Sequence, residues 1–285
     1  MVVQRDGDDR RSSRRSFLSS VGITGGVSFL AGSLALGPRW RGADSDDDGI
    51  PDRKKRSTAF HRRLESVFGS DQFEGLEPGR PTLLIDVRYV GQTAVFPSTK
   101  WTVVNLFRRH GIDAQWLEYP HRYPLEAVTE RYGSTVRDLL WGPGCFYNEE
   151  VADDLKDVAL QLLVVPGATT PPYEGRIYSH VMDAAGGGTN GYVNGFSAGN
   201  RAVVTNRNDR FAEARLVLHE LAHLALGHDD DPQNTGVMGS GDEVDLLDCE
   251  WNRLRGGLAN VRDRTGYDVV FRPCLWFEDL APPLE

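Results

Sequence analysis

RLVLHELAHLALGHDDDPQNTGVMGSG, residues 215–241, is the most informative stretch of this 285-residue chain. At its centre, residues 219–223 follow the pattern HExxH. Residues four apart on a helix lie on one face with Cβ atoms about 5–6 Å apart, so His219 and His223 can bind one metal ion. Glu220 lies beside them and can act on a water molecule without being a ligand. The pattern therefore predicts a catalytic metal site on a helix.

The residues around this pattern predict that the helix is buried. Apolar side chains recur with helical spacing over residues 211–226 and cover almost the whole circumference, which is typical of a helix enclosed by other elements. Gly227 follows and can end the helix in a left-handed conformation. Two histidines and a glutamate inside a buried helix need polar partners, and a metal ion would satisfy them.

The continuation of the stretch resembles the metzincin zinc endopeptidases. Their HExxHxxGxxH motif is followed by a methionine in a tight turn beneath the metal, and Met238 matches that position. The resemblance implies an α+β, zincin-like fold: a mixed twisted sheet, an active-site helix and a small irregular C-terminal subdomain. It also implies a Zn2+ cofactor, a protein or peptide substrate, and Glu220 as the general base towards a zinc-activated water.

The third zinc ligand stays open because the family spacing is not kept. The family has its glycine seven residues, and its third ligand ten residues, after the first histidine; here those positions are Leu226 and Asp229. Gly227 and His228 come at eight and nine. We prefer His228, because zinc slightly favours imidazole in such sites. Asp229 is the alternative, as in the snapalysin-like metzincins.

A gluzincin arrangement is a further competitor, in which a glutamate of a later helix completes the site. Glu243 and Glu250 lie twenty and twenty-seven residues beyond His223, and residues 243–254 predict a helix. We rank this arrangement lower, because it leaves Met238 unexplained.

The N-terminal segment predicts an export signal. Residues 13–18, SRRSFL, match the twin-arginine consensus and precede a mildly apolar run over 21–37. The run is too short and too weakly apolar for a stable membrane span. We therefore expect residues 1–43 to be a twin-arginine signal segment and the protein to be secreted, or associated with the cell surface.

Residues 44–80 predict a calcium loop followed by a linker. The loop has five aspartates, and four of them, Asp44, Asp46, Asp48 and Asp52, are the candidate calcium ligands. With Gly49 they resemble the DxDxDGxxD loop of thrombospondin type 3 repeats and EF-hand-like loops, which implies Ca2+ bound through oxygen ligands. Lys55 replaces the glutamate at the twelfth position, so water or another segment would have to complete the coordination. A solvated acidic linker is the alternative.

Residues 81–285 predict one zinc metallopeptidase domain of alternating strands and helices. The predicted strands are 82–90, 112–119, 158–165, 177–183 and 201–205, and the predicted helices are 99–110, 149–156 and 211–226, after a short helix at 58–68 in the linker. Residues 184–199, rich in Gly, Asn and Ser, predict an exposed loop or an irregular edge strand. An edge beside the catalytic helix could bind an extended peptide through main-chain hydrogen bonds.

The net charge and the number of cysteines exclude some classes of protein. Residues 44–285 carry 25 basic and 38 acidic side chains, a net charge of −13, which argues against a nucleic-acid partner. Three cysteines are too few for a disulfide scaffold. Cys249 and Cys274 could form a disulfide after export, and unpaired thiols are the alternative.

The sequence thus favours a secreted zinc-dependent endopeptidase. The alternative of another class is a secreted calcium-dependent binding or surface module whose zincin-like domain is inactive.

Overall fold

Five strands form the central sheet of the computed structural model of this chain. The structure describes residues 43–140, 144–166, 177–179, 191–198, 200–226, 236–238 and 243–261, all within the unit Arg41–Glu285. The predicted signal segment lies outside the described residues, apart from Ala43. His228 and Asp229 also lie outside the described residues. Among the described residues, no helix is long and apolar enough to cross a bilayer.

The sheet is mixed and mostly parallel. The strands in chain order are β1 (Thr82–Val90), β2 (Asp113–Tyr123), β3 (Ala159–Val165), β4 (Ile177–Ser179), β5 (Gly191–Val193), β6 (Gly195–Ala198) and β7 (Arg201–Thr205). The main sheet has the order β2-β1-β3-β7-β6, and β6 is antiparallel to β7. The first four strands of that order are parallel. Strands β4 and β5 form a separate antiparallel pair.

Helices cover both faces of the sheet. They are α1 (Asp52–Lys55), α2 (Thr58–Phe68), α3 (Pro97–Arg109), α4 (Leu125–Arg131), α5 (Val136–Leu140), α6 (Phe146–Glu150), α7 (Asp153–Lys156), α8 (Arg210–Leu226) and α9 (Asp248–Val261). One core contains side chains of β1 together with those of α3, α8 and α9. A second core contains residues of β1, β2, α2 and α7. Because both faces are covered, every residue of β1 and β3 is buried, and both strands are mainly apolar.

The predicted mixed sheet with helices is confirmed, with changes at element boundaries. The helix predicted over 149–156 is wrong, because Val151 takes an extended conformation (φ −93°, ψ 128°) between α6 and α7. Val151 is buried in the second core, which favours the break over a continuous exposed helix. The helix predicted to open at Glu243 begins at Asp248. Within residues 184–199, the edge-strand alternative is confirmed for β6, which is the last strand of the sheet in the described part of the chain.

Of the cysteines, Cys145 and Cys249 are free thiols. At Cys249 the structure therefore has the unpaired alternative rather than the disulfide. Cys274 lies outside the described residues.

Candidate active site

The two histidines of the HExxH pattern converge on one point beside α8. The Nε2 atoms of His219 and His223 lie 2.8 Å apart, and the ring centroids lie 4.2 Å apart. The predicted helix is confirmed over this region, and the packing of Leu218 and Leu221 in the core fixes which face carries the imidazoles. The i, i+4 pair thus brings two imidazole nitrogens together at a point where one metal ion could bind both.

A backbone carbonyl fixes the tautomer of the first histidine. His219 Nδ1 lies 2.9 Å from the carbonyl oxygen of Val237. Since that oxygen can only accept, Nδ1 carries the proton and Nε2 carries a lone pair. A histidine that binds a metal through Nε2 needs this arrangement.

The turn that supplies this carbonyl is itself held by the segment before α9. The backbone N–H of Val237 donates to the carbonyl oxygen of Asp245 over 2.8 Å. The Asp245 carboxylate in turn accepts from Trp251 Nε1 over 2.9 Å. Val237 and Met238 are both buried in the core that contains α8. Met238 therefore lies in a buried turn next to the residue that contacts His219, and its role as a Met-turn residue stays a prediction.

The side chain of Glu220, a residue of α8, lies against the edge strand β6. The side chain is only 4 % exposed. A Cβ atom added to Gly195 would lie 2.4 Å from Glu220 Oε1 and 2.8 Å from its Cδ. No real contact is that short, so the glycine is required for the strand to approach the carboxylate. The arrangement places the predicted general base against the strand edge.

The N-terminal half of α8 is fixed at two points. Asp209 caps the helix, because its Oδ1 accepts from the backbone N–H groups of Phe211 and Ala212 over 2.9 and 2.8 Å. Glu213 Oε2 accepts from the backbone N–H of Phe96 and from Thr99 Oγ1, both over 2.7 Å. Burial raises the pKa of the Glu213 carboxyl. These contacts join α8 to the start of α3.

The histidine pair fits a zinc ion. Zinc binds imidazole at about 2.0–2.1 Å, and tetrahedral angles then place two such nitrogens about 3.3 Å apart. The 2.8 Å separation of the Nε2 atoms is about 0.5 Å shorter, so the imidazoles would have to move slightly apart to hold the ion. Among the described residues, neither Glu243 nor Glu250 joins the histidines in a three-ligand group. Glu250 instead accepts from the backbone N–H of Leu247 at the start of α9 over 2.8 Å.

The predicted calcium loop is an acidic cluster that already contains a cationic side chain. Carboxylate oxygens of Asp44, Asp46 and Asp48 lie within 4.8 Å of one another. Lys55 Nζ lies 2.6 Å from Asp46 Oδ2 and 2.6 Å from Asp48 Oδ2. While Lys55 stays there, these oxygens give a calcium ion a poor fit. Calcium binding at this loop stays a prediction.

Asp52, the fourth predicted calcium ligand, makes other contacts. Its Oδ1 accepts from the backbone N–H and the hydroxyl of Ser45 over 3.1 and 3.0 Å. Its Oδ2 pairs with Arg56 at 3.2 Å.

Sequence reasoning missed three residues that shape the site. Gly195 lies in a glycine-rich stretch, and its closeness to α8 depends on how β6 pairs in the sheet, which the sequence does not reveal. Asp245 and Trp251 reach His219 only through the backbone of Val237, and main-chain contacts leave no motif in a sequence.

The comparisons with known proteins include a similarity to a solved structure. No protein-family model matches the sequence. No curated protein matches it either. Among solved structures, the chain is similar to the archaemetzincin of Methanopyrus kandleri, at 16 % identity and a TM-score of 0.42, over 63 % of this chain and 97 % of that one.

Proposed function

We propose that this protein is a zinc-dependent endopeptidase with Glu220 as its general base. The observation that carries the proposal is the convergence of the His219 and His223 Nε2 atoms, 2.8 Å apart, with His219 Nδ1 held by Val237. A purely structural zinc site normally has four protein ligands and needs no adjacent carboxylate. Here a buried carboxylate follows the first histidine directly.

His219 and His223 would hold the zinc ion, with His228 as the third ligand and Asp229 as its alternative. When bound, zinc would activate a water molecule and polarise the scissile carbonyl. The fixed Nδ1–H of His219 keeps its Nε2 lone pair directed at the ligand position. Glu220 accepts the proton of the attacking water and returns it to the leaving amine.

The substrate would be an extended segment of a protein or peptide. Strand β6 is the last strand of the described sheet, and its Gly195 lies against Glu220. A chain that pairs with such an edge is held by main-chain hydrogen bonds, whatever its side chains are. Pairing along β6 would bring a peptide bond alongside the general base.

Casein cleavage by the purified full chain tests the proposal. We expect cleavage that a zinc chelator abolishes and that added zinc restores. Glu220→Gln should keep zinc bound and lower cleavage by at least about 10²-fold, the lower end of what a positioned acid–base group contributes. Zinc content is measured on the same samples, so that loss of the metal is separated from loss of the base.

The same assay separates the alternative, a secreted binding or surface module with an inactive zincin-like domain. A chain that binds zinc stoichiometrically and cleaves neither casein nor unstructured peptides would contradict the endopeptidase.

Export through the twin-arginine route is part of the proposal. It is supported by the SRRSFL sequence at residues 13–18 and the apolar run that follows. Replacing Arg14 and Arg15 by lysines should keep the protein inside the producing cell, as measured by immunoblotting of cell and medium fractions. Undiminished secretion of this variant would contradict that route.

A further inference from the structure

The acidic loop that begins at Asp44 encloses a cation of its own chain. The Lys55 side chain has no exposed surface, and its Nζ lies 2.6 Å from both Asp46 Oδ2 and Asp48 Oδ2. We propose that the Lys55 ammonium takes the place that calcium takes in loops of this spacing, so that the loop closes without a metal. We call this arrangement the lysine lock: Lys55 with Asp46 and Asp48.

The position of Lys55 in the loop supports the substitution. In an EF-hand-like loop the twelfth residue returns from the following helix and supplies a bidentate carboxylate to the ion. Lys55 is the twelfth residue counted from Asp44 and ends α1. The same geometry that would bring a carboxylate to the ion brings an ammonium to the carboxylates. At the twelfth position this chain therefore carries a cation, where an EF-hand-like loop carries a ligand of the cation.

Electrostatics disfavours a second cation at the same oxygens. A divalent ion bound to Asp46 and Asp48 would lie beside the buried ammonium, where like charges repel strongly because water does not screen them. Calcium could enter only if Lys55 left its buried position. That movement would also break the hydrogen bond from Lys55 Nζ to the Arg80 carbonyl, which spans 3.1 Å.

The remaining negative charge is partly met within the loop. Burial raises the pKa of the Asp44 and Asp48 carboxyls because it disfavours their charged forms, and backbone hydrogen bonds offset part of that effect. Asp44 Oδ2 also accepts from the backbone N–H of Gly49 over 2.7 Å. Asp48 Oδ1 accepts from the backbone N–H of Ile50, also over 2.7 Å. These contacts stabilise the carboxylates without a divalent ion.

The lysine lock joins the segment before α1 to strand β1 of the sheet. Asp48 Oδ2 accepts from the backbone N–H of Thr82, the first residue of β1, over 2.7 Å. Lys55 reaches the carbonyl of Arg80 two residues earlier. The lock therefore fastens the start of the described chain to β1 by contacts that need no metal. This inference does not depend on the proposed peptidase activity.

Lysine reactivity tests the lock in the unmodified protein. The chain has four lysines, Lys54, Lys55, Lys100 and Lys156. Treatment with an amine-acetylating reagent, followed by peptide mass spectrometry, should modify Lys54 and leave Lys55 unmodified. Excess calcium chloride should not change this pattern. The proposal is overturned if calcium makes Lys55 reactive, or if Lys55 reacts as fast as Lys54 without calcium.

Charge reversal gives a second test by titration with calcium chloride, after the chain has been freed of metals. Lys55→Glu restores the carboxylate of the twelfth position and should bind calcium with a dissociation constant on the order of 10⁻⁴ to 10⁻³ M. The wild-type chain and Lys54→Glu, the matched control on the same helix, should show no saturable binding at this loop. The amide resonances of Gly49 and Thr82 report the site directly.

A saturable change in the chemical shift of the Gly49 amide on addition of calcium to the wild-type chain would contradict the proposal. The wild-type titration decides the question even if Lys55→Glu fails to fold.

Discussion

His219 Nδ1 lies 2.9 Å from the carbonyl oxygen of Val237, so the first histidine of the HExxH pattern is oriented by a turn eighteen residues later in the chain. That turn is held by the Asp245 carbonyl, and the Asp245 side chain is held by Trp251 Nε1. Three hydrogen bonds therefore connect α9 to the candidate metal ligand. We call this the α9 support chain.

We predict that Trp251→Phe weakens zinc binding while the fold persists. The phenylalanine ring keeps much of the stacking on His110, whose ring centroid lies 4.2 Å from that of Trp251. It loses the hydrogen bond to Asp245 and part of the buried volume of the indole. Changes to the groups that orient a metal ligand typically cost 10- to 100-fold in metal affinity, and this more distant contact should cost about 10-fold. Competition with a chromophoric zinc chelator measures the affinity.

Trp101→Phe is the matched control for this prediction. Trp101 lies on α3 and is 70 % exposed. Its replacement should leave zinc affinity unchanged. Equal affinities for all three proteins would show that the α9 support chain does not position His219.

We predict that Gly195→Ala lowers casein cleavage on the order of 10²-fold without releasing zinc. The added methyl group would lie 2.4 Å from Glu220 Oε1, so the carboxylate or strand β6 must move. A displacement of about 1 Å in a catalytic group can cost on the order of 10²-fold in rate. The measurements are the cleavage rate and the zinc content of the folded variant.

Ser197→Ala, on the same strand, serves as the control and should cleave casein at close to the wild-type rate. Full activity of Gly195→Ala would mean that Glu220 tolerates displacement and is not the general base.

The sequence was informative where chemistry depends on local spacing. HExxH on a buried helix, the strand at 82–90 and the turn at Met238 all follow from residues close together in the chain. The α9 support chain was not predictable, because Val237 and Asp245 meet through main-chain atoms that any residue carries. Gly195 was equally hidden, since its closeness to Glu220 depends on the antiparallel pairing of β6 with β7.

The acidic loop shows a different limit of sequence reasoning. Its aspartate spacing is that of a calcium loop, and only the departure at Lys55 signals another arrangement. In the structure, Lys55 pairs with Asp46 and Asp48. The residue that departs from the calcium-loop pattern is therefore the cation that these carboxylates contact.

We predict that Glu213→Gln makes stability less dependent on pH. Burial raises the pKa of this carboxyl in the folded state, so the folded protein binds its proton more tightly than the unfolded chain does. Its contribution to stability is present below the ordinary pKa of about 4.5 and is lost as the pH rises through the raised folded-state pKa. In the variant, the side-chain amide oxygen can still accept from the Phe96 N–H and the Thr99 hydroxyl.

Urea unfolding over the acidic to neutral range measures this effect. The free energy of unfolding of Glu213→Gln should gain on that of the wild type as the pH rises. Glu65→Gln, at an exposed position of α2, is the control and should follow the wild type. A pH-independent difference between Glu213→Gln and the wild type would contradict the prediction.

The third zinc ligand gives the last prediction, because the spacing leaves a choice between His228 and Asp229. We expect His228→Ala to lose zinc and Asp229→Ala to retain it, since imidazole is the slightly preferred zinc ligand. Loss of one of three protein ligands should lower affinity far more than the about 10-fold expected for Trp251→Phe. Zinc content of the two purified variants, with circular dichroism to confirm folding, measures the difference. The reverse result would assign the site to the aspartate arrangement of the snapalysin-like metzincins, and equal retention by both variants would exclude either residue as a ligand.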